Sequence, residues 1–146
     1  MNSEDQKFMK IAIEIAKEGM LAGKGGPFGA IVVKNSKIIG RGNNCVTSTN
    51  DPTAHAEVNA IRDACKNISD FQLTNCTIYT SCEPCPMCLG AIYWARTDRI
   101  VYACTREDAS KIDFDDEHSK RNVKNNVSEV YNKIMLWKKI NEVISK

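Results

Sequence analysis

Two short segments of the sequence contain side chains that can bind a metal ion and move a proton. Residues 52–57 include His55 and, two positions later, Glu57, and residues 84–88 include Cys85 and Cys88 in a C-x-x-C spacing. One imidazole and two thiolates are ligands that zinc takes in proteins, and three protein ligands leave a fourth tetrahedral position open to water. Because zinc lowers the pKa of water and a nearby carboxylate can accept a proton, the two segments predict a hydrolytic zinc site.

The cysteine segment is predicted to open a helix. Pro86 suits the first helical position, so Cys85 and Cys88 would project together from the first turn, where the helix N-terminus stabilises thiolates. Cys82 is also three residues from Cys85, which leaves open a closed site of three cysteines and His55 that would hold no water. We expect Cys82 to point elsewhere, because it ends the preceding predicted strand.

The histidine segment is predicted to lie in a helix that begins at residues 51–52, an aspartate followed by a proline. Two residues apart on a helix, His55 and Glu57 would lie about 200° apart around the axis. They can serve one ion only if the ion lies beyond the end of the helix. The spacing therefore predicts that two helix N-termini converge on the metal at an edge of a sheet.

The hydrophobic pattern predicts one α/β domain over residues 1–146, folded as a three-layer α/β/α sandwich with a central mixed sheet. Residues 119–146 form a variable C-terminal segment within it. Ser3 and Gln6 are spaced as a capping box for the first helix, which we expect to end near residues 19–23. The other predicted elements are a hairpin (30–33 and 38–41), a strand (77–80), a helix from 86, a strand (100–103) and a last amphipathic helix marked by Val130, Ile134, Trp137, Ile140 and Ile144.

Composition narrows the class of protein. A formal charge of +2 offers no dense basic face, so nothing supports a nucleic-acid partner. No apolar run reaches the roughly 20 residues of a membrane span, and the polar first ten residues do not resemble a secretory signal. Seven cysteines, an odd number, favour reduced thiols and metal binding over a disulfide framework. We therefore expect a cytoplasmic protein without a membrane partner.

The pattern H-x-E followed by P-C-x-x-C is the signature of zinc-dependent nucleobase deaminases. The sequence around it resembles the cytidine and deoxycytidylate deaminase superfamily, and within it the small bacterial guanine deaminases. The resemblance implies a cytidine deaminase-like fold, one Zn²⁺ per chain held by His55, Cys85 and Cys88, and a proton-carrying role for Glu57. It rests on the stretches GGPFGA (25–30), NDPTAHAEV (50–58), YTSCEPCPMCLGAIYWAR (79–96) and FDD (114–116).

The same resemblance implies a set of substrate-binding residues. Asn44 matches an asparagine that binds the base, Asp116 matches a second acidic residue that acts on the substrate, and Phe28, Ala56 and Trp94 match the lining of the pocket. Four of these residues also have a simpler structural explanation. Asparagine is common in turns, which would explain Asn44. Phe28 and Trp94 suit core positions, and Asp116 lies in an acidic run that water can solvate.

These residues together predict a deaminase that converts guanine to xanthine and ammonia. The N1–H and the 2-amino group of guanine are both donors, which the carboxylate of Asp116 can accept, whereas adenine presents an acceptor at N1. The alternatives are a deaminase of cytosine, of nucleosides or of adenosine in tRNA, and a structural zinc module. The resemblance also implies a homodimer, which in some relatives is swapped through the C-terminal segment. That segment is shorter here, so the resemblance does not determine which residues close the pocket.

Overall fold

The computed structural model describes residues 2–110 of the chain. The chain divides into two units, Met1–Arg106 and Glu107–Lys146, and the second lies almost entirely outside the described residues. Asp116, residues 119–146 and the predicted last helix lie there too. The single domain over residues 1–146 and the features of the C-terminal segment therefore stay predictions.

The described elements follow the predicted order closely. They are α1 (Ser3–Leu21), β1 (Gly29–Lys34), β2 (Lys37–Asn43), α2 (Val46–Thr49), α3 (Ala56–Ile68), β3 (Cys76–Cys82), α4 (Pro86–Ala95), β4 (Arg99–Cys104) and α5 (Arg106–Ser110). The hairpin, both later strands and the helix from Pro86 are confirmed. The short helix α2 was not predicted from the sequence.

The four strands form one mixed sheet in the order β2-β1-β3-β4. β1 pairs antiparallel with both β2 and β3, and β3 pairs parallel with β4. Helix α1 packs on one face of this sheet, where Phe8 and Met9 contact Ile31 and Tyr79. Helices α3 and α4 pack on the other face, so the described residues have the predicted three-layer α/β/α arrangement. The apolar cluster on that second face contains Ala30, Val32, Ala56, Ala60, Ala64, Ile78 and Ile92.

The N-cap of helix α1 lies one residue earlier than predicted. Asn2, not Ser3, is the N-cap, and its side chain accepts a 2.7 Å hydrogen bond from the backbone N–H of Asp5. The buried carboxylate of Asp5 also accepts two hydrogen bonds from Arg99 at 2.7 Å and one from the Tyr79 hydroxyl at 2.8 Å. This network ties the first turn of α1 to strands β3 and β4.

Helix α3 does not begin at residues 51–52, as the sequence predicted. The side chain of Asp51 accepts hydrogen bonds from the backbone N–H of Thr53 at 2.8 Å and from its hydroxyl at 2.6 Å. These bonds form a turn that competes with helix initiation. The helix starts at Ala56, with His55 as its N-cap residue in an extended conformation.

Close packing against β2 fixes the position of α3. A Cβ on Gly42 would lie 2.3 Å from the carbonyl oxygen of Ala56, and a Cβ on Gly40 would lie 2.5 Å from that of Ala60. Only glycine allows a strand and a helix to approach this closely. Among residues 2–110, no helix is long and apolar enough to cross a membrane.

Candidate active site

Two helix N-termini meet at the predicted metal site. His55 is the N-cap residue of α3, Cys85 is the N-cap residue of α4, and Cys88 lies in the first turn of α4. The prediction that two helix starts converge is confirmed, although His55 reaches the site from just outside its helix rather than from within the first turn. The extended backbone of an N-cap residue turns its side chain past the end of the helix, and this resolves the angular conflict between His55 and Glu57.

The distances between the three side chains fit a zinc ion. The Nδ1 atom of His55 lies 3.7 Å from the Sγ atom of Cys85 and 3.5 Å from the Sγ atom of Cys88. All three donor atoms lie within 4.8 Å of one another. Tetrahedral bonds of about 2.0–2.1 Å to nitrogen and about 2.3 Å to sulfur place the two atom types about 3.6 Å apart. The donor set therefore fits zinc in both chemistry and spacing.

Contacts within the site shift the pKa values of the two thiols in opposite directions. Contacts with the Cys88 thiol and the His55 ring lower the pKa of Cys85 to about 4. The same contact with Cys85, together with burial, raises the pKa of Cys88. Because metal ligands must be deprotonated, a divalent cation bound here would displace any proton held by the two thiols.

Cys82 does not join this donor group. Within the described part of the chain, the group contains His55, Cys85 and Cys88 alone. Cys82 lies at the end of β3 opposite Cys104 of β4, and its sulfur donates to the carbonyl oxygen of Thr105 at 3.6 Å. The arrangement of the described residues therefore favours an open site with three protein ligands over a closed one with four.

Glu57 is buried beside the metal-binding side chains. One carboxylate oxygen, Oε1, accepts a 3.1 Å hydrogen bond from the hydroxyl of Thr80, and the other, Oε2, lies 3.4 Å from the Sγ atom of Cys88. Burial raises the pKa of this carboxyl above its ordinary value of 4.5. A carboxyl group whose pKa moves toward neutrality can both accept and donate a proton.

Asn44 follows strand β2 directly and is buried. Its Oδ1 atom accepts hydrogen bonds from the backbone N–H groups of Gly26 at 3.3 Å and Val46 at 3.1 Å, and its own N–H donates to the carbonyl oxygen of Phe28 at 3.0 Å. Asn44 thus stabilises a turn, as its residue type suggested. Among residues 2–110 no acceptor takes a hydrogen bond from its Nδ2 atom, so this donor is available to a ligand.

The other predicted pocket residues described by the structure, Phe28, Ala56 and Trp94, differ in how deeply they are buried. Phe28 is half-buried and packs against the core cluster under α3. Ala56 belongs to that cluster and is fully buried, which does not support a contact between its side chain and a ligand. Trp94 is not a core residue: it is 71% exposed and lies against Tyr93 and Arg96.

Two residues near the site were missed by the sequence analysis. Thr80 contacts Glu57, and Asn59 donates from its amide to the carbonyl oxygens of Asn43 at 2.9 Å and Ala54 at 3.2 Å. These two carbonyl groups immediately precede Asn44 and His55. A hydroxyl group in a buried strand needs a hydrogen-bond partner, and this signal at Thr80 was present in the sequence.

Comparison with known proteins identifies the family. The model of the cytidine and deoxycytidylate deaminase zinc-binding region matches residues 2–104. The chain is 59% identical to the guanine deaminase of Bacillus subtilis over 116 residues, which cover 80% of this chain and 73% of that protein. It is 43% identical to a tRNA-specific adenosine deaminase of Buchnera aphidicola over 113 residues, covering 77% and 74% of the two chains.

Solved structures agree with these sequence matches. The crystal structure of the Bacillus subtilis guanine deaminase superposes with a TM-score of 0.76 at 55% identity, over 83% of this chain and 76% of that one. A guanine deaminase from Nitrosomonas europaea superposes with a TM-score of 0.72 at 30% identity, over 78% and 65%. The chain therefore belongs to the cytidine and deoxycytidylate deaminase family of zinc-dependent hydrolytic enzymes. The predicted fold class and the zinc cofactor are confirmed.

Proposed function

We propose that this protein is a guanine deaminase, which hydrolyses the free base guanine to xanthine and ammonia. The observation that supports this proposal most strongly is the 59% identity to the Bacillus subtilis guanine deaminase, across 80% of this chain. The tRNA-specific relatives match less well, at 43% identity or lower. The open donor group beside a buried carboxyl provides the hydrolytic chemistry that either substrate needs.

In this proposal His55, Cys85 and Cys88 hold one zinc ion, which when bound supplies a nucleophile at neutral pH by lowering the pKa of water. Glu57 accepts the proton of the attacking water. It then protonates the ring nitrogen beside the attacked carbon, C2, and delivers a proton to the departing amine. Each proton that leaves water thus returns to the substrate, and the products are xanthine and ammonia.

The base is recognised by groups of opposite hydrogen-bonding character. Asn44 offers its Nδ2 donor to an acceptor on the purine, and its fixed Oδ1 atom determines where that donor lies. Asp116, outside the described residues, accepts hydrogen bonds from the N1–H and the 2-amino group of guanine. A carboxylate at that position disfavours adenine, whose N1 is itself an acceptor.

The substrate is tested by measuring ammonia release from the purified, zinc-loaded protein with guanine, cytosine, adenine, their nucleosides and tRNA. We expect guanine to be the preferred substrate by kcat/KM. A preference for cytosine or a nucleoside would overturn the substrate and leave the mechanism intact. Turnover of tRNA would instead indicate a deaminase of adenosine in tRNA. The affinity of the protein for tRNA should then fall steeply with rising salt concentration.

Asp116→Asn tests the recognition of guanine directly. Loss of charged hydrogen bonds costs about 1.5–3 kcal/mol, so we expect kcat/KM for guanine to fall roughly 10- to 150-fold. Asp113→Asn in the same acidic run is the control and should retain activity. If both variants turn over guanine as the wild type does, Asp116 does not contact the base.

The remaining proposals concern assembly and location. We propose a homodimer, which the exposed apolar side chains of Trp94, Ile100 and Tyr102 support. Sedimentation equilibrium would measure the assembled mass. All seven cysteines are unpaired thiols, which supports a reducing compartment such as the cytoplasm.

A further inference from the structure

Thr80 is buried in the middle of the sheet at a position that the strands fix from both sides. It lies in β3, opposite Ala30 of β1 and opposite Tyr102 of β4, and only 1% of its surface is exposed. Its hydroxyl group donates a 3.1 Å hydrogen bond to the Oε1 atom of Glu57. Because neighbouring strands hold the backbone of Thr80 on both sides, this donor cannot follow the carboxyl group if it rotates.

The two oxygen atoms of Glu57 therefore have different surroundings. Oε1 faces the sheet and the hydroxyl of Thr80, whereas Oε2 faces Cys88, one of the three metal-binding side chains. The terminal torsion of a glutamate is broad and roughly two-fold, so nothing within the side chain itself fixes the plane of the carboxyl group. The hydrogen bond from Thr80 fixes this plane, with one oxygen toward the sheet and the other toward the metal-binding side chains.

We infer that Thr80 is a positioning residue for the reaction, which holds the carboxyl group of Glu57 so that one of its oxygens faces the metal-binding side chains. The inference rests on the proton-carrying role of Glu57 in the proposed function. The hydrogen bond is compatible with both states of the group, since Oε1 accepts it when the carboxylate is ionised and also when Oε2 holds a proton. Thr80 can thus hold the carboxyl in one orientation throughout the reaction.

A purely structural role for Thr80 predicts a different outcome. The hydroxyl would then only satisfy a buried acceptor, and its removal would change stability without a specific effect on turnover. Partners that orient an active-site group typically contribute 10- to 100-fold to activity. The two roles are separated by measuring kcat, KM, zinc content and thermal stability of the same variants.

The test uses Thr80→Val, which removes the hydroxyl and preserves the shape of the side chain, with Thr77→Val as a control in the same strand. On the best base from the substrate panel, we expect Thr80→Val to lower kcat about 10- to 100-fold, with KM changed less than about three-fold and one zinc per chain retained. Thr77→Val should leave both kinetic constants unchanged. An unchanged kcat in Thr80→Val overturns the inference.

A second pair keeps the test decisive if the valine variant does not fold. Thr80→Ser and Thr80→Ala differ only in the hydroxyl group, and we expect the serine variant to exceed the alanine variant in kcat by about 10-fold or more. Equal rates in these two variants contradict the inference.

A double-mutant cycle with Glu57→Gln separates this inference from the proposed function. If Thr80 acts through Glu57, adding Thr80→Val to Glu57→Gln should lower kcat by less than about two-fold. Additive losses would show that Thr80 acts independently, which overturns the inference. If Glu57→Gln alone retains full activity, the proton-carrying role of Glu57 fails, whereas a loss in Glu57→Gln without a loss in Thr80→Val refutes the role of Thr80 alone.

Discussion

The contact between Gly42 of β2 and the start of α3 gives a quantitative prediction. In Gly42→Ala the new Cβ would lie 2.3 Å from the carbonyl oxygen of Ala56 and 2.4 Å from the nitrogen of Ala60, whereas ordinary contact begins at 3.4 Å. Both atoms belong to the helix backbone, so no side chain can rotate away. The first turn of α3 must therefore move by about 1 Å, the amount needed to restore ordinary contact.

This displacement affects stability and activity together. Overpacking of a tight core costs about 1–3 kcal/mol of unfolding free energy. The same turn carries Glu57 and follows directly on His55, and a misplacement of about 1 Å at a reacting group costs on the order of 10²-fold in rate. We therefore expect Gly42→Ala to unfold at lower urea concentration and to release ammonia about 100-fold more slowly at saturating substrate and zinc.

Two other glycines provide matched controls. A Cβ on Gly90 in helix α4 would meet nothing within 4 Å, so Gly90→Ala should stabilise the protein by about 0.5–1 kcal/mol and leave the rate unchanged. A Cβ on Gly40 would press on Ala60 and Ala64, further along α3. Gly40→Ala should therefore cost stability with a smaller loss of activity. A wild-type rate in a destabilised Gly42→Ala variant would refute the argument that the first turn sets the geometry of the site.

Three further predictions concern proton transfer by Glu57, the ion pair between Asp5 and Arg99, and the metal. Glu57→Gln should retain one zinc per chain by atomic absorption and lose roughly 10²–10⁴-fold in kcat, and near-normal turnover would contradict it. Hydrogen bonds from Arg99 hold the pKa of Asp5 well below 3.8, so the carboxylate stabilises the fold at neutral pH and this contribution is lost as the pH falls through the lowered pKa. Asp5→Asn should accordingly melt below the wild type at pH 7, with a gap that narrows under acid conditions, and a constant gap would count against the ion pair. Removal of zinc by a chelator should lower the melting temperature by roughly 10 °C, because a ligand at 1,000 times its Kd adds about 4 kcal/mol to the free energy of unfolding. An unchanged melting temperature would show that zinc does not bind the folded state preferentially.

The sequence predicted the metal-binding side chains well because their chemistry is local. Cys85 and Cys88 are close in sequence and Pro86 marks a helix start, so their common direction follows from helix geometry alone. The start of α3 was predicted wrongly because two local signals compete at Asp51. An aspartate before a proline suits a helix N-cap, but the same side chain also binds the backbone two residues later, and the packing of α3 on β2 decides between these options.

Contacts between distant segments account for what the sequence did not reveal. The hydrogen bond between Thr80 and Glu57 joins residues 23 positions apart on a strand and a helix, and no spacing rule connects them. The residue type of Trp94 suited a core position, yet the side chain is exposed in the structure. Its place in the pocket, implied by the resemblance, stays a prediction. Hydrophobicity predicts burial only on average, since much of a protein's surface is apolar.

The ion pair between Asp5 and Arg99 has a consequence for the synthesis of the chain. Helix α1 leaves the ribosome before the strands of the sheet, and the guanidinium that anchors it follows 94 residues after Asp5. At a synthesis rate of about 5–20 residues per second, strand β4 follows α1 after roughly 5–20 s. During that interval β1 and then β3 can cover the apolar side of α1, but the carboxylate of Asp5 lacks its guanidinium partner until β4 emerges.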